Sequence, residues 1–217
     1  MKYDFETLIP RYGVGSGKWD EMREEVPDLP DDIVPLSVAD MEFKNAPEIV
    51  EGLKEYLDTS ILGYTHATDA YYQAVTGWME RRHGWKIEPE WLLKTPGVVF
   101  ALAMAVKAYT EPGDYVLIQE PVYYPFREVI ESNDREVANN VLYQDENGSY
   151  KIDFEDFERQ IVEKRIRLFL LCSPHNPVSR VWTREELEKL GDICKKHGVI
   201  VVSDEIHADS VSYTHLR

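Results

Sequence analysis

The hydrophobic pattern of the chain changes period near Thr95. From there onward, short and continuously apolar runs alternate with longer segments whose apolar residues recur every three or four positions. The runs "YVLIQ", "RLFLLC" and "VIVVS" are five or six residues long. They lack the polar alternation of a half-exposed strand, so they predict strands buried on both faces, as in a parallel sheet covered by helices. "REVANNVLY" predicts a further strand, followed by a turn at "QDENG". Between the runs lie predicted helices over "VVFALAMAVKAYT", "YPFREVIES", "DFEDFERQIVEK" and "TREELEKLGDICKKHG". Asp153 can cap the third. The fourth opens on a Thr183–Glu186 capping box and stops at Gly198. The pattern defines an α/β fold with a doubly wound, mostly parallel sheet, running from residue 95 to residue 217.

Residues 1–94 read differently, as an arm and a helical segment. Gly13, Gly15, Gly17, Pro27, Pro30 and Pro35 interrupt any period in the first third of this part. A helix is predicted over "NAPEIVEGLKEYLD", with Asn45 and Glu48 as its capping box and Ile49, Val50, Leu53 and Leu57 on one face. After the loop "GYTH", a second helix runs over "DAYYQAVTGWMERRHG", capped by Asp69 and stopped by Gly84. Val75, Trp78, Met79 and Arg82 set its period, which places Trp78 and Met79 in the core.

Charge and cysteine content narrow the partners. The formal net charge of −16 opposes nucleic acid or an anionic membrane as a partner but leaves room for a small anion held by local groups. No apolar run approaches the length of a membrane span, and "MKYDFETLIP" has no apolar core of signal-peptide length. Cys172 and Cys194 sit in apolar patterns and read as buried thiols, which suits a cytoplasmic protein. No metal-ligand set is read. No GxGxxG follows a strand, which sets aside a nucleotide-binding Rossmann domain.

Candidate chemistry gathers just beyond the predicted strands, where open parallel sheets bind ligands. "EPVYYPF" follows the first buried strand and brings Tyr123 or Tyr124 as a flat aromatic face. "SPHNPVSR" follows the second and stiffens Asn176 between Pro174 and Pro177, so a fixed amide donor is on offer. "DEIH" follows the third and brings Asp204. "TPG" precedes the helix at Val98, whose free N–H groups and dipole suit a phosphate. Each feature alone has an ordinary structural reading: a packed tyrosine, an Asx turn, a capping aspartate, a glycine before a helix. Together they complement a flat, phosphorylated ligand with a phenolic oxygen and a cationic ring nitrogen. Pyridoxal 5′-phosphate has those features.

The stretches "RYGVGSGKWD", "LSVADMEF", "LGYTH", "HGWKIEPEWLLKTPGVVFAL", "EPVYYPF", "LLCSPHNPVSRVWTREEL" and "VVSDEIHAD" carry a resemblance that spans nearly the whole chain. They resemble the fold-type I pyridoxal-phosphate enzymes of the class I/II aminotransferase family. Within it the MalY/PatB-type cystathionine β-lyases fit best. The resemblance implies that Asn176 donates to the cofactor's phenolic oxygen with His207 near the same edge. It implies that Asp204 pairs with the pyridine nitrogen, Tyr123 stacks on the ring, and Gly97, Val98 and Val99 hold the phosphate. Tyr64 would reach that phosphate from a neighbouring subunit, making the full-length protein a homodimer. Ala39, Asp40 and Asn176 would line the substrate side. The implied activity splits cystathionine, or a cysteine-like thioether, into a thiol, pyruvate and ammonia.

The family's cofactor-anchoring lysine and substrate-carboxylate arginine come later than Asp204, and neither can be placed on this sequence. The tail "SVSYTHLR" also departs from the family's course. The expectation is an incomplete cofactor-binding domain, inactive as it stands. Two other readings remain open: a class I/II aminotransferase using the same cofactor site, and a regulatory interaction protein.

Overall fold

The structure, a computed structural model, describes residues 3–30 and 32–210. The end of the tail, residues 211–217, lies outside them. The chain divides into two compact units, Met1–His66 and Ala67–Arg217. This division falls earlier than the change of hydrophobic period at residue 95.

Among the described residues, the first unit holds two helices, α1 (Asp20–Glu25) and α2 (Pro47–Thr59). The glycine-rich arm has an organising centre in Asp20. Its carboxylate accepts the backbone N–H of Gly13 at 2.8 Å, Gly15 at 2.8 Å and Ser16 at 3.0 Å. Gly13 and Gly15 adopt left-handed conformations with φ of 70° and 78°, which a side chain would resist. The Gly13 N–H, with those of Gly15 and Ser16, holds the Asp20 pKa below the ordinary carboxylate value. The unfolded chain therefore binds the proton more readily, and this contribution to stability is lost as pH falls through the depressed folded pKa. Hydrogen exchange over residues 13–20 should quicken on acidification, and Asp20→Ala should show the fast exchange already at neutral pH. Equal exchange in variant and parent at pH 7 would show that the arm is held by other contacts.

Helix α2 does not use the expected capping box. Its N-cap is Ala46, with no side-chain cap bond and with proline in the first turn. Proline favours that first helical position and pushes the preceding residue to extended backbone, which displaces the boundary past Asn45. Its apolar stripe of Ile49, Leu53 and Leu57 is exposed.

The second unit begins with α3 (Asp69–His83). Thr68, not Asp69, is the N-cap, its side chain accepting from the Tyr71 N–H, and Asp69 stands in the first turn. The helix ends as expected at Gly84 in a left-handed conformation. The expected burial of Trp78 and Met79 is not met, because α3 buries no residue. Trp78 is held at the surface by its polar edge: the indole N–H donates to Asp209 at 2.9 Å and Arg82 lies over the ring.

The α/β part then follows, with α4 (Val98–Tyr109), β1 (Tyr115–Ile118), α5 (Pro125–Glu131), β2 (Glu136–Asn139), β3 (Tyr143–Gln144), β4 (Tyr150–Lys151), α6 (Phe154–Lys164), β5 (Leu168–Cys172), α7 (Arg184–His197) and β6 (Ile200–Asp204). Four strands form one parallel sheet in the order β2-β1-β5-β6. The strand expected over "REVANNVLY" is divided. After β2, the buried Asn140 donates to the Asp153 carbonyl and the Asp156 carboxylate and accepts from Gln119. Those bonds take the backbone out of the sheet, and β3 pairs antiparallel with β4 in a separate ribbon.

Two apolar clusters cover the sheet. Alternate residues of β5 divide between them, as the strand period requires. Leu168, Leu170 and Cys172 pack with Leu102, Val106, Phe126 and Ile130 of α4 and α5. Phe169 and Leu171 pack on the other face with Phe157, Ile161, Leu190 and Cys194 of α6 and α7. Burying each such side chain is worth about 1.5–3 kcal/mol, and β5 is buried along its whole length. Strand β6 is different. It was expected to be buried on both faces, but it stands last in the sheet, and Ile200 and Val201 are 40% and 41% exposed. Helix α7 has the reciprocal Thr183–Glu186 capping box and ends at left-handed Gly198. Both cysteines are free and buried. No helix among the described residues is long and apolar enough to cross a membrane.

Candidate active site

Strand order places the crevice. From β1 the chain crosses to β2 on one side, then returns past β1 to β5 and continues to β6. The order reverses between β1 and β5, and ligands of open α/β sheets bind beyond the carboxyl ends at such a reversal. The loops leaving these ends are the ones bearing Tyr123 and Asn176.

The β1 loop is braced from below. Arg127 donates from Nε to Glu120 Oε1 and from Nη2 to Oε2, both at 2.9 Å, and Asn139 donates to the same carboxylate. Tyr123 follows, about a third exposed, its ring 5.0 Å from that of Tyr124 at a tilt of 59°. Burial, and then the neighbouring Tyr124, push its phenol pKa upward, so the ring stays neutral. The peptides Glu120–Pro121, Ser173–Pro174 and Asn176–Pro177 are all cis.

The β5 loop is held at several points. The Asn176 N–H donates to the Cys172 thiol at 3.5 Å. Burial raises that thiol's pKa to about 11, so it remains protonated and inert. Trp182 donates to the Cys172 carbonyl at 3.1 Å and is almost fully buried. Arg180 stacks over the Trp182 ring, grips Glu186 with 2.7 Å bonds to both oxygens, and donates to the Tyr150 carbonyl. The result is a rigid loop in which the half-buried Asn176 keeps its side-chain amide without a protein hydrogen bond among the described residues.

Asp204 ends β6 directly beside this loop. It pairs in register with Cys172, and its carbonyl accepts the Ser173 N–H at 2.9 Å. Its side chain is buried, accepts the Ile206 N–H at 3.1 Å, and has no cationic partner among the described residues. A buried carboxylate without a cation is costly, and a protonated ring nitrogen would relieve that cost. Downstream, His207 is half-buried at the turn that leads into Ala208–Ser210.

Helix α4 starts at Gly97 with no side-chain cap bond. The first intrahelical acceptor is the Gly97 carbonyl, bonded by Ala101 N–H at 3.1 Å, so the N–H groups of Val98 and Val99 have no intrahelical partner. Val98 packs into the cluster that contains Cys172 and Val202, which sets this helix end over β5 and β6. A methyl placed on Gly97 would meet nothing within 4 Å. The second unit thus brings Tyr123, Asn176, Asp204 and the N-terminus of α4 to the ends of three neighbouring strands.

The remaining candidates lie in the first unit. Ala39 is exposed next to Val38, whose φ is 56°. Asp40 takes a 2.6 Å bond from Arg11 and lies 3.5 Å from the ammonium of Lys18. Arg11 holds its pKa below the ordinary value. Glu42 completes the network with Lys18 at 2.9 Å and the Trp19 indole at 3.0 Å. Tyr64 is fully exposed. Sequence reasoning missed the braces: Glu120–Arg127, Trp182, Arg180–Glu186 and the Cys172 thiol. Their long-range bonds leave no periodic signal, although Trp182 and Arg180 stand inside the quoted proline-rich loop.

The family model for aminotransferase class I and II matches residues 31–216, and the chain belongs to that family. Cystathionine beta-lyase PatB of Bacillus subtilis is 49% identical over 212 residues, covering 98% of this chain and 54% of the relative. Protein MalY of Escherichia coli is 32% identical over 210 residues, covering 96% and 53%. Among solved structures, cystalysin from Treponema denticola, which contains pyridoxal 5′-phosphate, superposes with a TM-score of 0.92 at 48% identity, covering 96% of this chain and 53% of the other. The chain spans about half the length of the curated relatives it matches.

Proposed function

We propose that this chain forms part of a pyridoxal-phosphate-dependent carbon–sulfur β-lyase acting on cystathionine or a cysteine-like thioether. The observation that carries the reading is the convergence of the Asn176 amide, the Asp204 carboxylate with no cationic partner among the described residues, the Tyr123 ring and the uncapped start of α4 at one strand reversal. Those groups fit the cofactor by chemistry. Asp204 would hold a proton on the pyridine nitrogen, since an opposite charge at close range favours the charged form of each partner. Asn176, with His207 nearby, would donate to the phenolic oxygen. Tyr123 would cover one face of the ring and exclude water from it. Gly97, Val98 and Val99 would bind the phosphate through backbone N–H groups. When bound, the cofactor supplies an electron sink for negative charge at the substrate α-carbon. Ala39 and Asp40 would line the substrate side, and Tyr64 would reach the phosphate of a neighbouring subunit in a homodimer. A cytoplasmic location follows from the same reading.

No lysine stands in the segments 97–99, 119–124, 173–183 or 204–210 that build the site in the second unit. On this reading the anchoring lysine is outside this constellation, and the 217-residue chain alone should bind the cofactor reversibly and without turnover. Spectral titration with pyridoxal phosphate, borohydride reduction with peptide mapping, and a pyruvate assay on cystathionine test this together. Reversible saturation with no single labelled lysine and no pyruvate above that of free cofactor is expected. One stoichiometrically labelled lysine with enzymatic turnover would overturn it. In the full-length protein, pyruvate release from cystathionine should exceed amino-group transfer to any common keto acid; the opposite ratio would establish the aminotransferase reading.

A further inference from the structure

We propose that His175 is a positioning residue that sets the Tyr123 loop against the Asn176 loop across the strand reversal. The proposal rests on the cofactor reading above. Residue pairing between β1 and β5 is Val116 with Leu168 and Leu117 with Phe169, and it stops there. Beyond that point the two chains part. One enters α5, which packs on the sheet face of Val116 and Ile118; the other enters α7, which packs on the face of Leu117 and Phe169. A crevice that opens between diverging loops needs something to fix its width.

His175 spans that gap. Its ring is 2% exposed, and Nε2 lies 3.0 Å from the Pro121 carbonyl oxygen. The ring also meets the backbone of Gln119, so its ties to the β1 loop run through one imidazole. A carbonyl oxygen only accepts, so Nε2 carries the hydrogen. Burial pushes the imidazole pKa below its ordinary value and keeps the ring neutral. Nδ1 is then a bare acceptor, and it is buried without a hydrogen-bond partner. The geometry leaves one tautomer, with the Pro121 carbonyl as its closest acceptor.

The other side of the ring is fixed just as firmly. It meets the Trp182 ring edge-on, with centroids 5.3 Å apart and planes at 87°. Trp182 is itself tied to the Cys172 carbonyl at the end of β5. The His175 N–H donates to the Arg180 carbonyl at 2.7 Å, closing the loop on itself. Rigidity on the β5 side is thereby passed through one imidazole to Pro121, two residues before Tyr123. The ring face and the amide donor keep a set separation because His175 has a set length. No role in touching the cofactor is needed for this.

Two variants separate length and donor from shape. Gln places an amide nitrogen as many bonds from the backbone as His Nε2, so His175→Gln retains the donor. His175→Phe retains a flat ring against Trp182 and loses it. Both are made in the 217-residue chain and checked for folding by circular dichroism. Hydrogen exchange is then followed without cofactor at the amides of Phe126 and Arg127, which bond to Tyr123 and Tyr124, and at Asn176 and Arg180. His175→Phe should speed exchange about fivefold or more on both loops, and His175→Gln should restore the parental rates. Pyridoxal phosphate should bind about tenfold more weakly to the Phe variant than to parent or Gln variant. Faster exchange on the Asn176 loop alone, Gln behaving like Phe, or equal cofactor affinity in parent and Phe variant would each overturn the proposal. A parent chain that binds no cofactor while the exchange pattern holds would overturn the cofactor reading and leave the mechanical tie between the loops standing.

Discussion

Asp204→Ala should slow the cystathionine cleavage proposed for the full-length protein by roughly 100-fold or more, a loss of about 2.7 kcal/mol in transition-state stabilisation. Burial and the lack of a cation around the carboxylate among the described residues set the size of the effect. Asp204 sits at the end of a strand, mostly removed from water, with a single backbone N–H as its partner and no cation among the described residues. A carboxylate in that setting has most of its charge available for a ligand. Without it, a ring nitrogen bound there would lose the counter-charge that keeps it protonated, and the electron sink would weaken. The fold should survive, because the strand pairing of Asp204 with Cys172 uses backbone groups. Steady-state kinetics alongside circular dichroism will check both halves. A rate within threefold of the parent would reduce Asp204 to a cap for the Ile206 N–H.

Trp182→Ala should carry the largest effect on stability, about 3–5 kcal/mol, the range for truncating a large buried aromatic. Trp182 is 2% exposed and lies in the cluster under α6 and α7. It also meets three different partners: the Cys172 carbonyl, the His175 ring and the Arg180 guanidinium. Removal leaves a cavity, an unpaired carbonyl and a loop without its floor. The urea midpoint should fall with the slope unchanged, and cofactor affinity should fall with it because Asn176 is carried by the same loop. Trp182→Phe separates the two effects. It keeps most of the volume and the edge contact but drops the bond to Cys172, and should recover more than half of the lost stability. A Trp182→Ala midpoint close to the parent would show that the loop collapses onto the vacancy at little cost.

Much of the α/β unit was readable from local pattern alone. The runs that became β1 and β5 are apolar on both faces because both faces are covered, and that is a property a window of five residues displays. The helix α7 boundaries were equally plain, since the Thr183–Glu186 box and Gly198 act within one helical turn. Asn176 and Asp204 could be singled out because parallel strands carry ligands at their carboxyl ends, whatever the side chains are. Other features were decided only by tertiary structure. Trp78 has the spacing of a core residue, yet its indole N–H is drawn to Asp209, which is 131 residues away in sequence. Val199 to Val202 read like β5, but strand order puts β6 at the edge of the sheet and leaves Ile200 and Val201 exposed. "REVANNVLY" reads as one strand until the amide of Asn140 finds Asp153 and Asp156 and pulls the chain away. The bond from His175 to Pro121 belongs to the same class, since it joins residues 54 apart. Periodicity reports the environment averaged along an element. A hydrogen bond between distant loops depends on the one direction in which each side chain finally points, and that direction exists only once the sheet has set the loops side by side.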